Sequence, residues 1–117
     1  MKEVIILYGG NSDENEISEL TANSINKHID RQKFSPTLVN LYDFKVDKIK
    51  RGSIVFIAIH GAGGEDGEIQ KILKEQAINF TGSDQKSCKN CWNKIKSKKI
   101  LIENQLPTPE YIVSSQN

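Results

Sequence analysis

Two runs of consecutive apolar residues, at positions 4–8 and 54–59, are rich in β-branched side chains. Runs of this kind are typical of strands that are buried on both faces, as in a parallel sheet. Two weaker patterns, at residues 34–41 and 78–80, predict further strands, of which the first has a proline near its start. The chain therefore has four candidate strands between its N-terminus and residue 80.

Apolar residues at helical spacing follow both strong strands, and such spacing predicts amphipathic helices. The positions are Ile17, Leu20, Thr21, Ile25 and Ile29 after the first strand, and Ile69, Ile72, Leu73 and Ala77 after the second. A lysine-rich stretch from residue 86 predicts a further helix to about residue 105, and residues 110–113 predict the start of another strand. Alternating strands and helices predict an α/β fold, a Rossmann-like open parallel sheet with helices on both faces.

The overall charge of the chain is close to balanced. Its 117 residues include 16 basic and 15 acidic side chains, for a formal net charge of +1. Such a chain has no general field to recruit nucleic acid or a membrane surface, so neither is expected as a partner. No apolar run is long enough to cross a bilayer, and the N-terminus lacks a signal-peptide pattern. We therefore expect a cytoplasmic protein. The sequence leaves the oligomeric state open, and a homodimer is one of the alternatives.

Both strong strands end in glycine-rich turns that carry charged side chains. Glu14 and Glu16 follow the first turn, whereas the second begins with His60 and holds Glu65 and Asp66. If the strands are neighbours, both turns lie at the same edge of the sheet. Carboxylates suit an ammonium group, and an imidazole with backbone N–H groups suits a carboxylate. The pattern predicts an amino-acid site; the plainer alternative is that the first two acids only complement a helix dipole.

Other motifs for phosphate, redox or metal chemistry are incomplete. The first turn does not match G-x-G-x-x-G, and no P-loop is present. Cys88 and Cys91 form a C-x-x-C inside a lysine-rich stretch, where two incidental cysteines are favoured over a redox pair or half a zinc site. The lysines themselves indicate a solvated face or a polyphosphate partner.

Five motifs resemble those of D-alanine–D-alanine ligases, in the order in which that family has them. Residues 7–18, LYGGNSDENEIS, resemble its G-G-x-S-x-E-x-D/E-V/I-S signature, and residues 60–70, HGAGGEDGEIQ, resemble H-G-x-x-G-E-D-G-x-I/L-Q. FTGS at 80–83, NKIKSK at 93–98 and LPTP at 106–109 follow. Asn93 departs from the Asp that family members mostly carry, and Ala62 from an Arg or another polar residue. The resemblance covers essentially the whole chain.

The resemblance implies an activity and a set of site residues. Family members are ATP-grasp enzymes that use ATP and Mg²⁺ to join two D-alanines for peptidoglycan, through an acyl phosphate. By motif position, Glu14 would hold the ammonium group of the first D-alanine and His60 would lie beside a carboxylate or oxyanion, both as catalytic residues. Ser18 and Glu65 would complete the substrate-binding set. Lys94 would contact the phosphates of ATP.

The resemblance also divides the chain. Residues 1–93 would form the N-terminal substrate domain, or pre-ATP-grasp domain, and residues 94–117 the lead-in to an ATP-grasp domain. Most nucleotide contacts and the magnesium carboxylates belong to that further domain. We therefore expect no metal ligand within this chain, and no ligase activity from this polypeptide alone. A non-enzymatic small-molecule binding module and another ATP-grasp amino-acid ligase are the alternatives.

Overall fold

The computed structural model describes residues 1–115, in which four parallel strands form one sheet with the order β2-β1-β3-β4. The two strong apolar runs are the central pair, and Leu7 lies opposite Ile57 in their register. Pro36 lies on an edge strand, where the N–H it lacks is not needed by a second neighbour. The strands are β1 (Lys2–Tyr8), β2 (Phe34–Asn40), β3 (Ile54–Ile57) and β4 (Asn79–Phe80).

Helices cover both faces of this sheet, which confirms the predicted α/β class. Alternate residues of β1 belong to two separate apolar clusters, because successive side chains of a strand point to opposite faces. Helix α1 contributes to one cluster and helix α2 to the other. The clusters contain Val4, Ile6, Ala22 and Ala58, and Ile5, Leu7, Val55, Ile59, Ile69 and Leu73. The helices are α1 (Asn15–His28), α2 (Glu68–Glu75), α3 (Gln85–Trp92) and α4 (Lys94–Glu103).

The face that α1 buries agrees with the predicted one only in part. Ser18 and Ala22 are its buried residues, whereas Ile17 and Leu20 are 51% and 67% exposed. The small side chains allow the helix to lie close to the sheet, and Ile25 extends the same row into the apolar cluster. The predicted helix is correct, and Ile25 and Ile29 pack against the core as predicted, but Ile17 and Leu20 stay exposed because small residues outweigh large ones at a close contact.

The lysine-rich region forms two helices rather than the single helix predicted to residue 105. Asn93 has extended backbone angles, φ −86° and ψ 107°, and its side chain accepts a hydrogen bond from the Lys96 N–H. An Asn in this position is a favourable N-cap, so it ends α3 and starts α4. None of the ten residues of α4, all described, is buried.

The strand predicted at residues 110–113 is not formed in the part of the chain that the structure describes. This segment does not pair with the sheet and instead lies along α4, where Lys98 holds it. The Lys98 ammonium donates to Thr108 Oγ1 at 2.7 Å and to the Pro109 carbonyl at 3.0 Å, and lies 5.5 Å from the centre of the Tyr111 ring. The end of the predicted lead-in, residues 116–117, lies outside the described residues. Among residues 1–115 there is no helix of the length and apolarity that a bilayer crossing requires.

Helix α2 ends before Ala77, which the pattern had assigned to its apolar face. Ala77 adopts the left-handed conformation, with φ 54°. Its N–H donates to the Lys74 carbonyl, and the Ile78 N–H donates to the Leu73 carbonyl. These two bonds form a Schellman motif. The position that Ala77 occupies in this motif is usually glycine, because a side chain with a Cβ is strained in the left-handed conformation.

Replacing Ala77 by glycine should therefore stabilise the fold. A left-handed conformation costs an L-residue about 1–2 kcal/mol. Against this, glycine lowers the free energy of unfolding by about 0.4–1 kcal/mol, because it gives the unfolded chain more conformational freedom. We expect Ala77→Gly to raise the free energy of unfolding by about 0.5–1 kcal/mol, measured by urea denaturation with an unchanged m-value. Gln76→Gly is the matched control, since Gln76 has φ −95° and its replacement should destabilise. A less stable Ala77→Gly protein would contradict this account.

Candidate functional site

The two glycine-rich turns lie side by side at the carboxyl edge of the sheet, since β1 and β3 are parallel neighbours. The side-chain oxygen of Ser12 donates to the His60 carbonyl at 2.7 Å and accepts from the Glu14 N–H at 3.2 Å. A Cβ placed on Gly61 would lie 2.9 Å from Glu14 Oε2. The carboxylate of Glu14 therefore borders the residue that follows His60, as the sequence pattern predicts for neighbouring strands.

A buried hydroxyl joins the two turns beneath their surface. Ser18 is fully buried, and its Oγ accepts from the Gly9 N–H at 2.9 Å and donates to the Ala58 carbonyl at 2.8 Å. This hydroxyl thus donates its proton and accepts one hydrogen bond within the protein itself. The structure therefore puts Ser18 under the site as a brace, and a direct substrate contact through Ser18 stays a prediction.

His60 is half-buried and is held from the side by α1. Its Nε2 lies 3.0 Å from the Thr21 hydroxyl. Glu14, Ser18 and Thr21 are spaced at i, i+4 and i+7, so they form a polar stripe along one side of the helix start. Thr21 stands among the apolar positions of the predicted helix, and this polar stripe is the signal by which it could have been recognised as a site residue.

The carboxylates of the second glycine turn hold the loop in shape. Glu65 Oε2 accepts from the Gly61 N–H at 2.8 Å, and Asp66 accepts from the N–H groups of Gly63 and Glu68 at 2.9 and 3.1 Å. These charge-assisted bonds fix the backbone that faces the site. Glu65 thus has a structural partner already, while its expected contact with substrate stays a prediction.

A cleft of about 370 Å³ opens between the second glycine turn, the turn at residues 81–83 and α3. His60 and Glu65 belong to its wall, whereas Glu14 lies against Gly61 and is not part of the wall as described. Sequence reasoning missed most of the polar lining, which comes from turns and from a helix distant in the chain. Those residues are Thr21, Gln70, Thr81, Ser83, Ser87, Cys88 and Cys91.

The side-chain amide of Gln70, which lines the cleft, has one polar atom without a hydrogen-bond partner among the described residues. Its side chain is 4% exposed, and its Nε2 donates to the Gly64 carbonyl at 2.6 Å. Its Oε1 has no hydrogen-bond partner among the described residues. The amide thus supports the second glycine turn from below while one acceptor stays unpaired.

Lys94 is the first residue of α4, directly after the Asn93 cap, and is exposed. It does not belong to the wall of the cleft formed by the described residues. Its expected contact with ATP phosphates therefore stays a prediction, and the structure does not bring Lys94 into the group around His60.

The C-x-x-C cysteines lie within α3, and both thiols are free. Cys88 Sγ donates to the Ser83 carbonyl at 3.5 Å, and burial raises the pKa of the Cys88 thiol. A thiol with a raised pKa is a poor nucleophile at neutral pH. Within residues 1–115, no group of three or more His, Cys, Asp or Glu side chains is arranged to hold a metal ion.

A parallel sheet with two glycine turns and a small cleft at its carboxyl edge is the arrangement typical of open α/β domains that bind ligands. No protein-family model matches the chain. It is 34% identical over 112 residues to the D-alanine–D-alanine ligase of Methylacidiphilum infernorum, covering 96% of this chain and 37% of that relative. It is 38% identical over 111 residues to the ligase of Polynucleobacter asymbioticus, covering 91% of this chain and 32% of that relative.

Solved structures agree with the sequence relatives. The crystal structure of D-alanine–D-alanine ligase from Bacillus anthracis complexed with ATP matches with a TM-score of 0.86 at 29% identity, over 100% of this chain and 42% of that chain. The resemblance to these ligases is thus confirmed, and the chain is similar to their N-terminal part. It spans about a third of the length of the curated relatives it matches.

Removal of the Ser18 hydroxyl should destabilise the fold more than an ordinary serine replacement does. Ser18→Ala leaves the Gly9 N–H and the Ala58 carbonyl without their buried partner, at roughly 1–3 kcal/mol for each group. We expect a loss of about 2–3 kcal/mol in the free energy of unfolding by urea titration. Ser24→Ala, in an exposed part of the same helix, should change it by less than about 0.5 kcal/mol. Similar values for both variants would disprove the bracing role.

Gly61 should tolerate a side chain worse than Gly52 does, although both have positive φ, 77° and 92°. In each case alanine incurs about 1–2 kcal/mol of backbone strain. A Cβ at Gly61 also meets Ser12 and Glu14 atoms at 2.9 Å, whereas one at Gly52 has nothing within 4 Å. We expect Gly61→Ala to lose at least about 1 kcal/mol more than Gly52→Ala in thermal or urea unfolding. Equal losses would show that the two turns are not closely packed.

Proposed function

We propose that this chain forms the part of an ATP-dependent D-alanine–D-alanine ligase that holds the first amino acid. The observation that carries the proposal is the Ser12 hydroxyl, which links the backbone N–H of Glu14 to the backbone carbonyl of His60 and so holds these two residues together at one sheet edge. Similarity to the N-terminal part of such ligases supports the same assignment.

Glu14 has the properties required of an ammonium-binding group. Its side chain is exposed, and among the described residues its carboxylate forms no ion pair. The carboxylate of Glu65, by contrast, is already bound to the Gly61 N–H. A free carboxylate next to a polar turn can accept charge-assisted hydrogen bonds from a D-alanine ammonium group. We therefore assign the ammonium of the first D-alanine to Glu14 and loop support to Glu65.

His60 is suited to the opposite end of the amino acid. Its ring lies at the wall of the cleft, with Nε2 occupied by Thr21. The remaining ring nitrogen can donate to the D-alanine carboxylate, on which charge changes when an acyl phosphate forms and when an amine attacks it. A fixed donor at such a position lowers the barrier because it needs no rearrangement during the reaction.

ATP would supply the phosphoryl group that activates the carboxylate, and phosphate would leave when the amine of a second D-alanine attacks. In this chain Lys94 is the proposed phosphate contact, since its ammonium is exposed at the start of α4. Mg²⁺ accompanies ATP in the proposal, but the described residues gather no metal-ligating group for it.

ATP and D-alanine as substrates imply that the proposed reaction takes place in the cytoplasm. The exposed Ile17 and Leu20 are available to a homodimer contact.

The proposal predicts separate kinetic effects for the two central residues in the complete gene product. The assay is release of phosphate from ATP that depends on D-alanine. Glu14→Gln should raise the Michaelis constant for the first D-alanine roughly tenfold or more, because a hydrogen bond to a charged group contributes about 1.5–3 kcal/mol. His60→Ala should chiefly lower kcat.

Glu16→Gln is the matched control for the first effect, because Glu16 is an exposed acid in the first turn of the same helix. It should leave both constants within about twofold, since a helix-dipole contribution is only about 0.3–1 kcal/mol and acts on stability. If the complete gene product releases no phosphate in response to D-alanine, the proposed function is wrong. An unchanged Michaelis constant in Glu14→Gln would remove Glu14 from the site.

A further inference from the structure

The hydroxyl of Thr21, on α1, lies within hydrogen-bond distance of the His60 ring. Thr21 Oγ1 lies 3.0 Å from His60 Nε2, and both residues line the same cleft. The helix that carries Thr21 is itself fixed against the end of β3 by the buried bond from Ser18 to the Ala58 carbonyl. The hydroxyl therefore approaches the imidazole from a rigid support rather than from a loop.

The direction of this hydrogen bond follows from what else the hydroxyl could bond. A helical threonine often donates to the carbonyl four residues earlier, which here belongs to Ile17. That bond is not formed, and within the described residues His60 Nε2 is the one group bonded to Thr21 Oγ1. Because Nε2 is thus the one protein acceptor bonded to this hydroxyl among the described residues, we assign the Thr21 hydroxyl as the donor and Nε2 as the acceptor. A neutral imidazole that accepts at Nε2 carries its own proton on Nδ1.

We propose that Thr21 is a positioning residue that holds His60 in the Nδ1–H tautomer. This inference rests on the proposed function for its catalytic consequence, though not for its geometry. An Nδ1–H group is a donor, which matches a carboxylate or oxyanion in the cleft. The other tautomer would turn a lone pair toward that negative charge and repel it. Thr21 thus determines whether the free ring nitrogen attracts or repels the acyl group of the substrate.

The tautomer can be measured directly on the 117-residue chain, which contains only two histidines. Long-range ¹H–¹⁵N spectra distinguish a protonated ring nitrogen from a bare one, at a pH about two units above the usual imidazole pKa of roughly 6.5. His28 is an internal reference, because its Nδ1 lies 2.8 Å from the Ser24 carbonyl, which can only accept. His28 should therefore report the Nδ1–H form in every variant.

We expect wild-type His60 to show a protonated Nδ1 and a bare Nε2. Thr21→Val keeps the branched shape but removes the hydroxyl, so the His60 signals should shift toward a mixture of tautomers. Thr21→Ser should restore the wild-type signals. A wild-type His60 with its proton on Nε2 would overturn the proposal. So would a Thr21→Val spectrum unchanged at His60 in a protein whose His28 signals show an intact fold.

Kinetics of the complete gene product separate this proposal from the proposed function. Thr21→Val should lower kcat about tenfold with little change in the Michaelis constants, and Thr21→Ser should recover most of it. In a His60→Ala background, Thr21→Val should have no further effect, because both residues act through one ring. A full additional loss in that background would contradict positioning through His60. Absence of D-alanine-dependent turnover in the wild type would defeat the proposed function, while the tautomer measurement would still decide the role of Thr21.

Discussion

The Ser18 hydroxyl is the interaction on which the geometry of the site depends. It accepts from the first glycine turn and donates to the end of β3, so it fixes α1 and both turns relative to one another. A larger side chain could not lie there, because Ser18 is fully buried between helix and sheet. Once α1 is held in this position, the polar stripe that contains Glu14 and Thr21 necessarily faces the residues that follow β3.

The acidic side chains of the site divide into those that build it and those that are free to bind. Glu65 and Asp66 accept from backbone N–H groups of their own loop, so their charge stabilises a turn rich in positive φ angles. Glu14 accepts no such bond among the described residues, and its backbone rather than its carboxylate is tied to Ser12. A site of this kind is organised before any ligand arrives, which reduces the loss of conformational freedom on binding.

Much of the fold could be predicted from the sequence, because β-branched runs and glycine turns are local signals. The adjacency of the two turns also followed, since parallel neighbouring strands end at one edge. The apolar stripe of α1 was correct at Ile25 and Ile29 but wrong at Ile17 and Leu20, because burial near the helix start is decided by how closely Ser18 and Ala22 let the helix approach. Thr21 was missed as a site residue for the same reason. A helical pattern gives the period of the helix but not the distance to the sheet.

Beyond β4 the predicted helical region is correct, but the break within it was missed and the strand predicted at residues 110–113 is not formed. Residues 110–113 have strand-like composition, yet the ammonium of Lys98 binds the preceding segment to α4. The break between α3 and α4 depends on one capping side chain, Asn93, which interrupts an otherwise continuous run of helix-forming residues. Capping and cation contacts of this kind involve a few atoms each, so composition does not reveal them.

Asn93 joins the helix that lines the cleft to the helix that begins with Lys94. Helix α3 forms one wall of the cleft through Ser87, Cys88 and Cys91, and it ends one residue before the break. Lys94 begins the next helix immediately after it. A phosphate held by Lys94 would therefore act on the chain next to the wall that faces the amino acid.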